Sequence, residues 1–342
     1  MIAKLQPNRV RRTYLGGGRI DAFCGVSADA SDGVPRPEDW LASTTTAYNG
    51  TVEIEGEGLG RLDDGRLVRD VAGTLPILVK LLDSDERLVI QAHPTVPFAR
   101  ERMNSPVGKT ECWYFLPGTA PDACVYLGFK PGITRDGWRR AFEAQEGLLE
   151  CLHKIPVRAG DFVFVDGGVP HAIGAGCFMV ELQEPSDLMV VAERVTPSGR
   201  RIPDGKIFCG LDFEDMLDVY CYDGLSFEET CARYVRRGVD IPASEPVVRI
   251  LGLDMTDKFA MWRLMGGGAL PMDGNSAVVV VTDGEGSLNG RLVRKGDRLL
   301  AIGEQSLLLS GTAVAVVCTT LLGEACIASM GKVKKLCVEA KV

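Results

Sequence analysis

The stretch VIQAHPTVPFARERMNSPVGKTECWYFL, residues 89–116, contains one of only three histidines in a chain of 342 residues. It begins inside RLVIQAHP, residues 87–94, an apolar segment that we predict to be a strand ending at Pro94. Side chains two positions apart on a strand point to the same face. Gln91 and His93 should therefore project together, and they would present an amide oxygen and an imidazole to one site.

Two later segments carry further side chains that are typical of metal ligands. KTECWYFL, residues 109–116, is again strand-like, and Glu111 lies near its start. RAGDFVFVDGGVPHAIGAG, residues 158–176, predicts a turn, a strand, a glycine turn and a second strand that begins at His171. The candidate ligands are Gln91, His93, Glu111 and His171. Two nitrogens and two oxygens suit a borderline divalent metal, zinc first, with manganese, iron or cobalt as alternatives. An isolated histidine is more often structural than a ligand, so the spacing by itself leaves both interpretations open.

Five motifs in order extend this pattern beyond the candidate ligands. They are LVKLLDSDERLVIQAHP, GKTECWY, LGFKPGI, GDFVFVDGGVPHAIGAG and VELQEPSD. In this order they resemble the type I phosphomannose isomerases (mannose-6-phosphate isomerases) of the cupin superfamily. The resemblance runs from YLGGGRIDAF near the N-terminus to about residue 225, and more loosely to the end. It implies an isomerase of mannose 6-phosphate and fructose 6-phosphate with one divalent metal, most simply Zn²⁺. The family's metal ligands fall on the same four residues.

Four charged residues are further candidates for the site; the resemblance assigns three of them, and Arg194 is the fourth because it lies three residues after Val191. Glu181, in VELQEPSD, occupies the position of the family's proposed acid–base carboxylate, and Lys109 is a second catalytic candidate. Lys80 and Arg194 are candidates for substrate binding. Apolar neighbours flank Glu181, so we expect desolvation to raise its pKa. The alternatives are a strand glutamate that faces water and lysines that are simply solvated.

Two valines stand where the family has polar groups. Val191 occupies the position of an arginine thought to act in catalysis, and Val89 that of a serine that helps to hold phosphate. A valine can neither pair with phosphate nor stabilise an enediolate. Two alternatives to the isomerase therefore stay open. One is a metal-containing cupin that binds a sugar or sugar phosphate, or regulates, without isomerase activity. The other is an isomerase of another sugar.

The overall pattern predicts a mainly β protein with two cupin-type jelly rolls and a few helices. Short strand-like runs are separated by turns that use many of the 40 glycines. LVRKGDRLLAIGEQSLLLSG, residues 292–311, echoes the segment from Ile155 to Gly176, which indicates a second jelly roll. We expect a metal-binding cupin domain with helical insertions over residues 1–240. A C-terminal jelly roll without metal ligands would follow over residues 241–342, because His171 is the last histidine.

Helices are expected in two places. DGWRRAFEAQEGLLECLHKI, residues 136–155, has helical spacing of its apolar residues, and His153 would lie at the end of that helix, as a cap or on the surface. DFEDMLDVYCYDGLSFEETCARY, residues 212–234, is expected to be helical in part.

Charge and cysteine content limit the partners and the compartment. A net charge of −8 argues against nucleic acid as a partner, whereas a small anionic substrate remains compatible with it. No run of 18 apolar residues indicates a membrane helix, and the N-terminus shows no secretory signal. The eleven cysteines contain no C-x-x-C pair, which favours reduced thiols in the cytoplasm. The sequence leaves the oligomeric state open.

Overall fold

The fold is mainly β, as the sequence predicts. A computed structural model describes residues 1–27, 33–48, 54–252 and 254–320. The strands of the first three quarters of the chain are β1 (Ile2–Lys4), β2 (Arg9–Val10), β3 (Glu38–Leu41), β4 (Leu78–Ser84), β5 (Gln91–Ala92), β6 (Glu111–Phe115), β7 (Cys124–Phe129), β8 (Leu152–Pro156), β9 (Phe162–Val165), β10 (His171–Ile173), β11 (Cys177–Gln183), β12 (Val190–Val191) and β13 (Val235–Arg236). The later strands are β14 (Val247–Leu251), β15 (Phe259–Met265), β16 (Ala269–Pro271), β17 (Ala277–Asp283), β18 (Glu285–Leu288), β19 (Arg291–Arg294), β20 (Arg298–Ala301), β21 (Ser306–Leu308) and β22 (Val314–Thr320).

The helices are short and lie between the strands. They are α1 (Gly18–Cys24), α2 (Val68–Ala72), α3 (Val96–Arg102), α4 (Arg135–Ala144), α5 (Asp204–Phe208), α6 (Phe213–Asp218) and α7 (Phe227–Tyr234), with 3₁₀ turns at Leu149–Cys151 and Gly238–Asp240. Helices α6 and α7 confirm the partly helical character expected of residues 212–234. In the described part of the chain, none of the helices has the length and apolarity needed to cross a bilayer.

Two antiparallel sheets form the first β unit. One has seven strands in the order β13-β9-β6-β11-β4-β3-β2, and the other has five in the order β12-β5-β10-β7-β8. Apolar residues of both sheets share one buried cluster, in which Trp113 and Val180 of the larger sheet join Leu127 and Ile173 of the smaller. The sheets therefore pack face to face, and the candidate ligands lie on strands of both.

A six-stranded sheet forms the second β unit, in the order β1-β20-β17-β22-β15-β14. Its outer face packs on the small ribbons β16-β21 and β18-β19 through a second apolar cluster that includes Trp262, Leu270 and Leu288. The N-terminal strand belongs to this sheet, because Ile2 pairs with Ala301. The boundary near residue 240 stays a prediction, and residues 321–342 of the proposed second domain lie outside the described residues.

The sequence similarity predicted between the two units corresponds to one type of turn that occurs in both. Gly160 and Gly296 have φ values of 89° and 88°, in the left-handed region that glycine tolerates best. In both turns the N–H of the following aspartate donates to the carbonyl three residues earlier, at 3.0 Å. The carboxylates of Asp161 and Asp297 accept a bond from the N–H of that same earlier residue. A strand, β9 or β20, then begins.

The helix predicted over residues 136–155 is only half correct. Helix α4 stops at Ala144 because Gln145 adopts the left-handed conformation, with φ 55°, and Gly147 follows with φ 67°. The chain then makes a 3₁₀ turn and enters β8, which contains His153. The expectation that His153 caps a helix or lies on the surface is therefore wrong. It is buried, with Nε2 2.8 Å from the carbonyl oxygen of Leu225.

The strand predicted over residues 87–94 is shorter than expected. Regular pairing is confined to Gln91 and Ala92, which meet His171 and Val190 across the sheet. The N–H of Ile90 donates instead to the carboxylate of Glu193 at 2.7 Å, which replaces a ladder bond. His93 therefore lies just beyond the end of the strand.

Candidate metal and catalytic site

Strand pairing brings the four candidate ligands into one place. Gln91 and His171 are direct partners on β5 and β10, and the Gln91 Nε2 atom is 3.2 Å from the His171 Nε2 atom. Glu111 is the first residue of β6 in the facing sheet. His93 is held after β5 by its own carbonyl, which accepts a bond from the N–H of Gly168 at 2.7 Å. Segments 80 residues apart in sequence thus converge because they are neighbours in the two sheets.

Three of these residues form a compact group of possible metal ligands. The ligand atoms of His93, Glu111 and His171 all lie within 4.8 Å of one another, and the three residues are buried. The His93 Nε2 atom is 3.1 Å from Glu111 Oε2, and the His171 Nε2 atom is 3.5 Å from Glu111 Oε1. These distances leave room for one ion that all three could coordinate.

Hydrogen bonds on the far side of each ring fix which nitrogen carries the proton. The Nδ1 atoms of His93 and His171 are each 2.9 Å from a backbone carbonyl oxygen, of Leu188 and Val169 respectively. A carbonyl only accepts, so each Nδ1 carries the hydrogen and each neutral ring turns the Nε2 lone pair towards Glu111. Burial, together with the charge of Lys109, lowers the pKa of His93 to about 3, and burial also lowers the pKa of His171. Both rings are therefore neutral at ordinary pH, the form that binds metal.

The carboxylate of Glu111 completes this electron-rich group. Burial by itself would raise its pKa, but the ammonium of Lys109 holds the pKa of Glu111 well below its usual range. Its Oε2 atom is fully buried and accepts no well-formed hydrogen bond among the described residues, although the ammonium of Lys109 lies 3.3 Å away. Two imidazole lone pairs and a carboxylate that converge in this way are the donor set of a metal site, and a divalent ion would add to the positive charge that Lys109 supplies. The residues present thus fit a divalent metal ion.

A lysine already lies against these ligand atoms. The Lys109 Nζ atom is 3.1 Å from His93 Nε2 and 3.3 Å from Glu111 Oε2. Gln91 approaches from the other side and donates its amide to His171 Nε2. Rotation of that amide by half a turn would exchange its nitrogen for its oxygen and present a fourth oxygen ligand. The role of Gln91 as a ligand stays a prediction.

Glu181 lies in the same cavity, beside Lys80. The two residues are direct partners on β11 and β4, with Lys80 Nζ 2.9 Å from Glu181 Oε1. Burial raises the pKa of Glu181, against the opposing effect of Lys80, as the sequence led us to expect. Glu181 and Lys80 are both buried, so neither is the solvated side chain of the alternative interpretation. The cavity is also lined by Gln91, Lys109 and Glu111.

The salt bridge between Lys80 and Glu181 continues into a buried row of alternating charges. Lys80 Nζ is 3.8 Å from Glu38 Oε2, which is also 3.0 Å from Arg12 Nε. Arg12 Nη2 reaches Asp187 Oδ1 at 3.1 Å. Although burial opposes it, Arg12 and Lys80 hold the pKa of Glu38 well below its usual range. The row fixes the position of Lys80, and through it that of Glu181.

Sequence reasoning missed several residues of the cavity wall. They are Arg12, Tyr14, Glu38, Asp187 and Lys206. The sequence holds one local indication for Glu38, which lies two positions before Trp40 and so shares its face of β3. The structure buries both side chains. Lys206, on the short helix α5, carries no local signal at all.

Three other residues singled out in the sequence have contrasting positions. Val89 lines the cavity. Val191 is buried in an apolar cluster with Ile90 and Ile207. Arg194 is exposed, with its guanidinium 5.2 Å from the ring centroid of Phe142. Arg194 is not among the described residues that line the cavity, and its role in substrate binding stays a prediction.

Comparisons with known proteins agree with the fold and the motifs. No protein-family model matches the chain. The mannose-6-phosphate isomerase ManA of Bacillus subtilis is 28% identical over 230 residues, which are 66% of this chain and 68% of that protein. The mannose-6-phosphate isomerase of Streptococcus mutans is 28% identical over 235 residues, 67% of this chain and 69% of that protein.

Solved structures extend the likeness to nearly the whole chain. The mannose 6-phosphate isomerase of Bacillus subtilis superposes with a TM-score of 0.72 at 20% identity, over 93% of this chain and 99% of that one. A mannose 6-phosphate isomerase bound with zinc and yttrium superposes with a TM-score of 0.66 at 15% identity, over 94% of this chain and 100% of that one. The chain is therefore similar in sequence to curated mannose-6-phosphate isomerases over about two thirds of each, and it shares the fold of the solved mannose 6-phosphate isomerases.

Proposed function

We propose that the protein is a metal-dependent aldose–ketose isomerase that interconverts mannose 6-phosphate and fructose 6-phosphate. The observation that carries this proposal is the meeting of two groups in one cavity. One is the buried set of His93, Glu111 and His171, and the other is the carboxylate of Glu181, whose pKa is raised. The names of the curated relatives support the substrate.

Zinc is the metal that we propose for the site. Neutral imidazole nitrogens and a carboxylate are ligands that zinc accepts, and one relative of the same fold has been solved with zinc. His93, Glu111 and His171 would hold the ion, with Gln91 as the fourth ligand. When bound, such an ion stabilises negative charge that develops on neighbouring sugar oxygens.

Glu181 is the proposed base of the isomerisation. The reaction moves a proton between C2 of the aldose and C1 of the ketose, so one carboxylate can remove the proton and return it to the adjacent carbon. A raised pKa suits this double role, because the group must be ionised to accept the proton and protonated to return it. Lys80 holds the carboxylate at a fixed position by their 2.9 Å ion pair.

Lys109 is the proposed partner of the sugar oxygens. Its ammonium lies within 3.3 Å of two candidate metal ligands, so it faces the place where the carbonyl and hydroxyl oxygens of the sugar would lie. An ammonium there donates hydrogen bonds to an oxygen that gains negative charge as the C2 proton leaves. Glu181 would thus transfer the proton between the carbons, while Lys109 would stabilise the negative charge on oxygen.

The setting that we propose for this activity is the cytoplasm, with a small sugar phosphate as the partner and no nucleic acid. The described cysteines are unpaired thiols, which is typical of a reducing compartment. The net charge of −8 disfavours a polyphosphate backbone.

Proton NMR of mannose 6-phosphate in D₂O tests the proposal. Zinc-loaded protein should form fructose 6-phosphate and introduce solvent deuterium at the carbon that exchanges its proton. Glu181→Gln should bind the same amount of zinc and lose both signals. If zinc-loaded protein binds the sugar phosphate without interconversion or deuterium uptake, the metal-containing binding protein, which Val191 and Val89 keep open, becomes the better description.

A further inference from the structure

Lys206 is a buried lysine of the cavity wall that neither the motifs nor the proposed proton transfer uses. It lies on α5, is 3% exposed and lines the same cavity as Glu181 and Glu111. Among the described residues, no carboxylate lies within ion-pairing distance of its ammonium, and no hydrogen bond of that ammonium is found. The side chain is buried, but the ammonium itself keeps some contact with solvent in the cavity, where an anion would stabilise it.

The other cationic side chains of the cavity wall are already engaged. Arg12 pairs with Glu38 and Asp187 at 3.0 and 3.1 Å. Lys80 pairs with Glu181 at 2.9 Å, and Lys109 lies 3.3 Å from Glu111. Among the described residues of the cavity wall, Lys206 is therefore the cation that is available to pair with an anionic ligand.

The position of Lys206 separates it from the metal ligands. The charged groups with the largest effect on it are Arg12, Asp187, Glu38 and Glu57, and none of them is a candidate ligand. Burial and the charge of Arg12 lower the pKa of Lys206 to about 8, so the amine is mostly protonated at neutral pH but weakly stabilised. An approaching dianion would favour the charged form further.

The helix that carries Lys206 packs on the strand that lacks the family's arginine. Helix α5 contacts β12, and Ile207 shares a buried apolar cluster with Val190 and Val191. The side chain of Ile207 thus fixes α5 against the sheet, and this packing sets the position of the adjacent Lys206.

We propose that Lys206 binds the phosphate group of the substrate and so selects phosphorylated over neutral sugars. This inference rests on the proposed function, because it assumes that the reacting end of the sugar lies at the metal ligands and Glu181. The phosphate then occupies the part of the cavity near Arg12 and Lys206. Val89 lines the same cavity and offers an anion no polar group, whereas Lys206 offers an unpaired ammonium.

Calorimetry on zinc-loaded protein compares Lys206→Met with the unmodified chain. Loss of one hydrogen-bonded charge pair should weaken the binding of mannose 6-phosphate by about 10–100-fold. Binding of unphosphorylated mannose should not change, and inorganic phosphate should no longer compete. Lys206→Arg should restore most of the preference. Lys154→Met, at an exposed position on β8, is the matched control and should behave as the unmodified protein.

The outcomes separate this inference from the proposed function. If Lys206→Met weakens both sugars equally, or leaves the affinity for mannose 6-phosphate unchanged, the inference is overturned even when the protein isomerises. If the protein does not isomerise but Lys206→Met removes its preference for the phosphorylated sugar, the inference stands and the proposed function fails. Lys206→Gln repeats the test should the methionine variant fail to fold.

Discussion

Lys80 and Glu181 face each other on neighbouring strands, with Nζ and Oε1 2.9 Å apart and both side chains 3% exposed. The pair ends a buried row of alternating charges that runs through Glu38 and Arg12 to Asp187. Burial raises the pKa of Glu181, while Lys80 acts in the opposite direction. The pKa of Glu181 therefore depends on two opposing effects, burial and the charge of Lys80, and a single substitution can shift it.

Lys80→Met should move the pH profile of isomerisation. Removing the ammonium removes the effect that lowers the pKa of Glu181, so that pKa should rise further above its usual value. The base works only when ionised, and activity is lost as the pH falls through its pKa. The acid limb of kcat/KM should thus shift to higher pH. Lys295→Met, at an exposed position, should leave the limb in place. An unmoved acid limb in Lys80→Met would argue against Glu181 as the base.

The three histidines allow a matched test of the metal site. His93→Ala and His171→Ala should each retain well under one equivalent of zinc after dialysis, because each removes a ligand from a group of three. His153→Ala removes a buried histidine whose ring contacts a backbone carbonyl, and it should retain the full equivalent. Elemental analysis of the purified variants gives the answer. One full equivalent in both ligand variants is the result that contradicts the assignment.

The metal ligands were predictable because their spacing follows local rules. Gln91 and His93 are two positions apart in an extended segment, and both Glu111 and His171 open a strand. Resemblance then placed these strands side by side. The short range of regular pairing in β5 could not be foreseen, because it depends on the distant carboxylate of Glu193.

The rest of the cavity wall depends on tertiary contacts. Arg12, Glu38 and Asp187 lie far apart in sequence, and no period or motif indicates that their charges pair. Lys206 lies on a five-residue helix that is positioned at the site by packing on β12. The early end of α4, by contrast, was signalled by Gly147, a residue that favours the left-handed turn after a helix.

A buried ion pair joins the two β units and should contribute strongly to stability. Arg298 Nη1 on β20 is 2.7 Å from Asp39 Oδ2 on β3, and the side chains are 8% and 0% exposed. Arg298→Met leaves that carboxylate buried without its partner, which should lower the free energy of unfolding by about 3–5 kcal/mol. Urea titration of the purified variant measures this change.

Arg291→Met is the control for that experiment. Its ion pair with Asp63 joins side chains that are 39% and 42% exposed, so its loss should cost about 1 kcal/mol or less. Equal losses in the two variants would mean that the buried pair has no special part in holding the units together.

Val191→Arg should destabilise the fold. Val191 is 1% exposed in an apolar cluster, so an arginine there would bury an unpaired charge at a cost of about 3 kcal/mol or more. Thermal unfolding would show it as a lowered Tm. An arginine variant with unchanged Tm and faster isomerisation would instead mean that the side chain can reach the cavity, as the family position implies.

If His93, Glu111 and His171 hold the metal that supports sugar-phosphate isomerisation, the reaction should depend on that metal and on each of these residues. The most direct measurement is the rate of fructose 6-phosphate formation from mannose 6-phosphate by protein that has been stripped with a chelator and then titrated with zinc. Turnover should be absent without metal and should recover fully at one equivalent of zinc per chain, with no recovery in His171→Ala. Zinc-loaded protein that turns over no faster than His171→Ala would contradict this expectation.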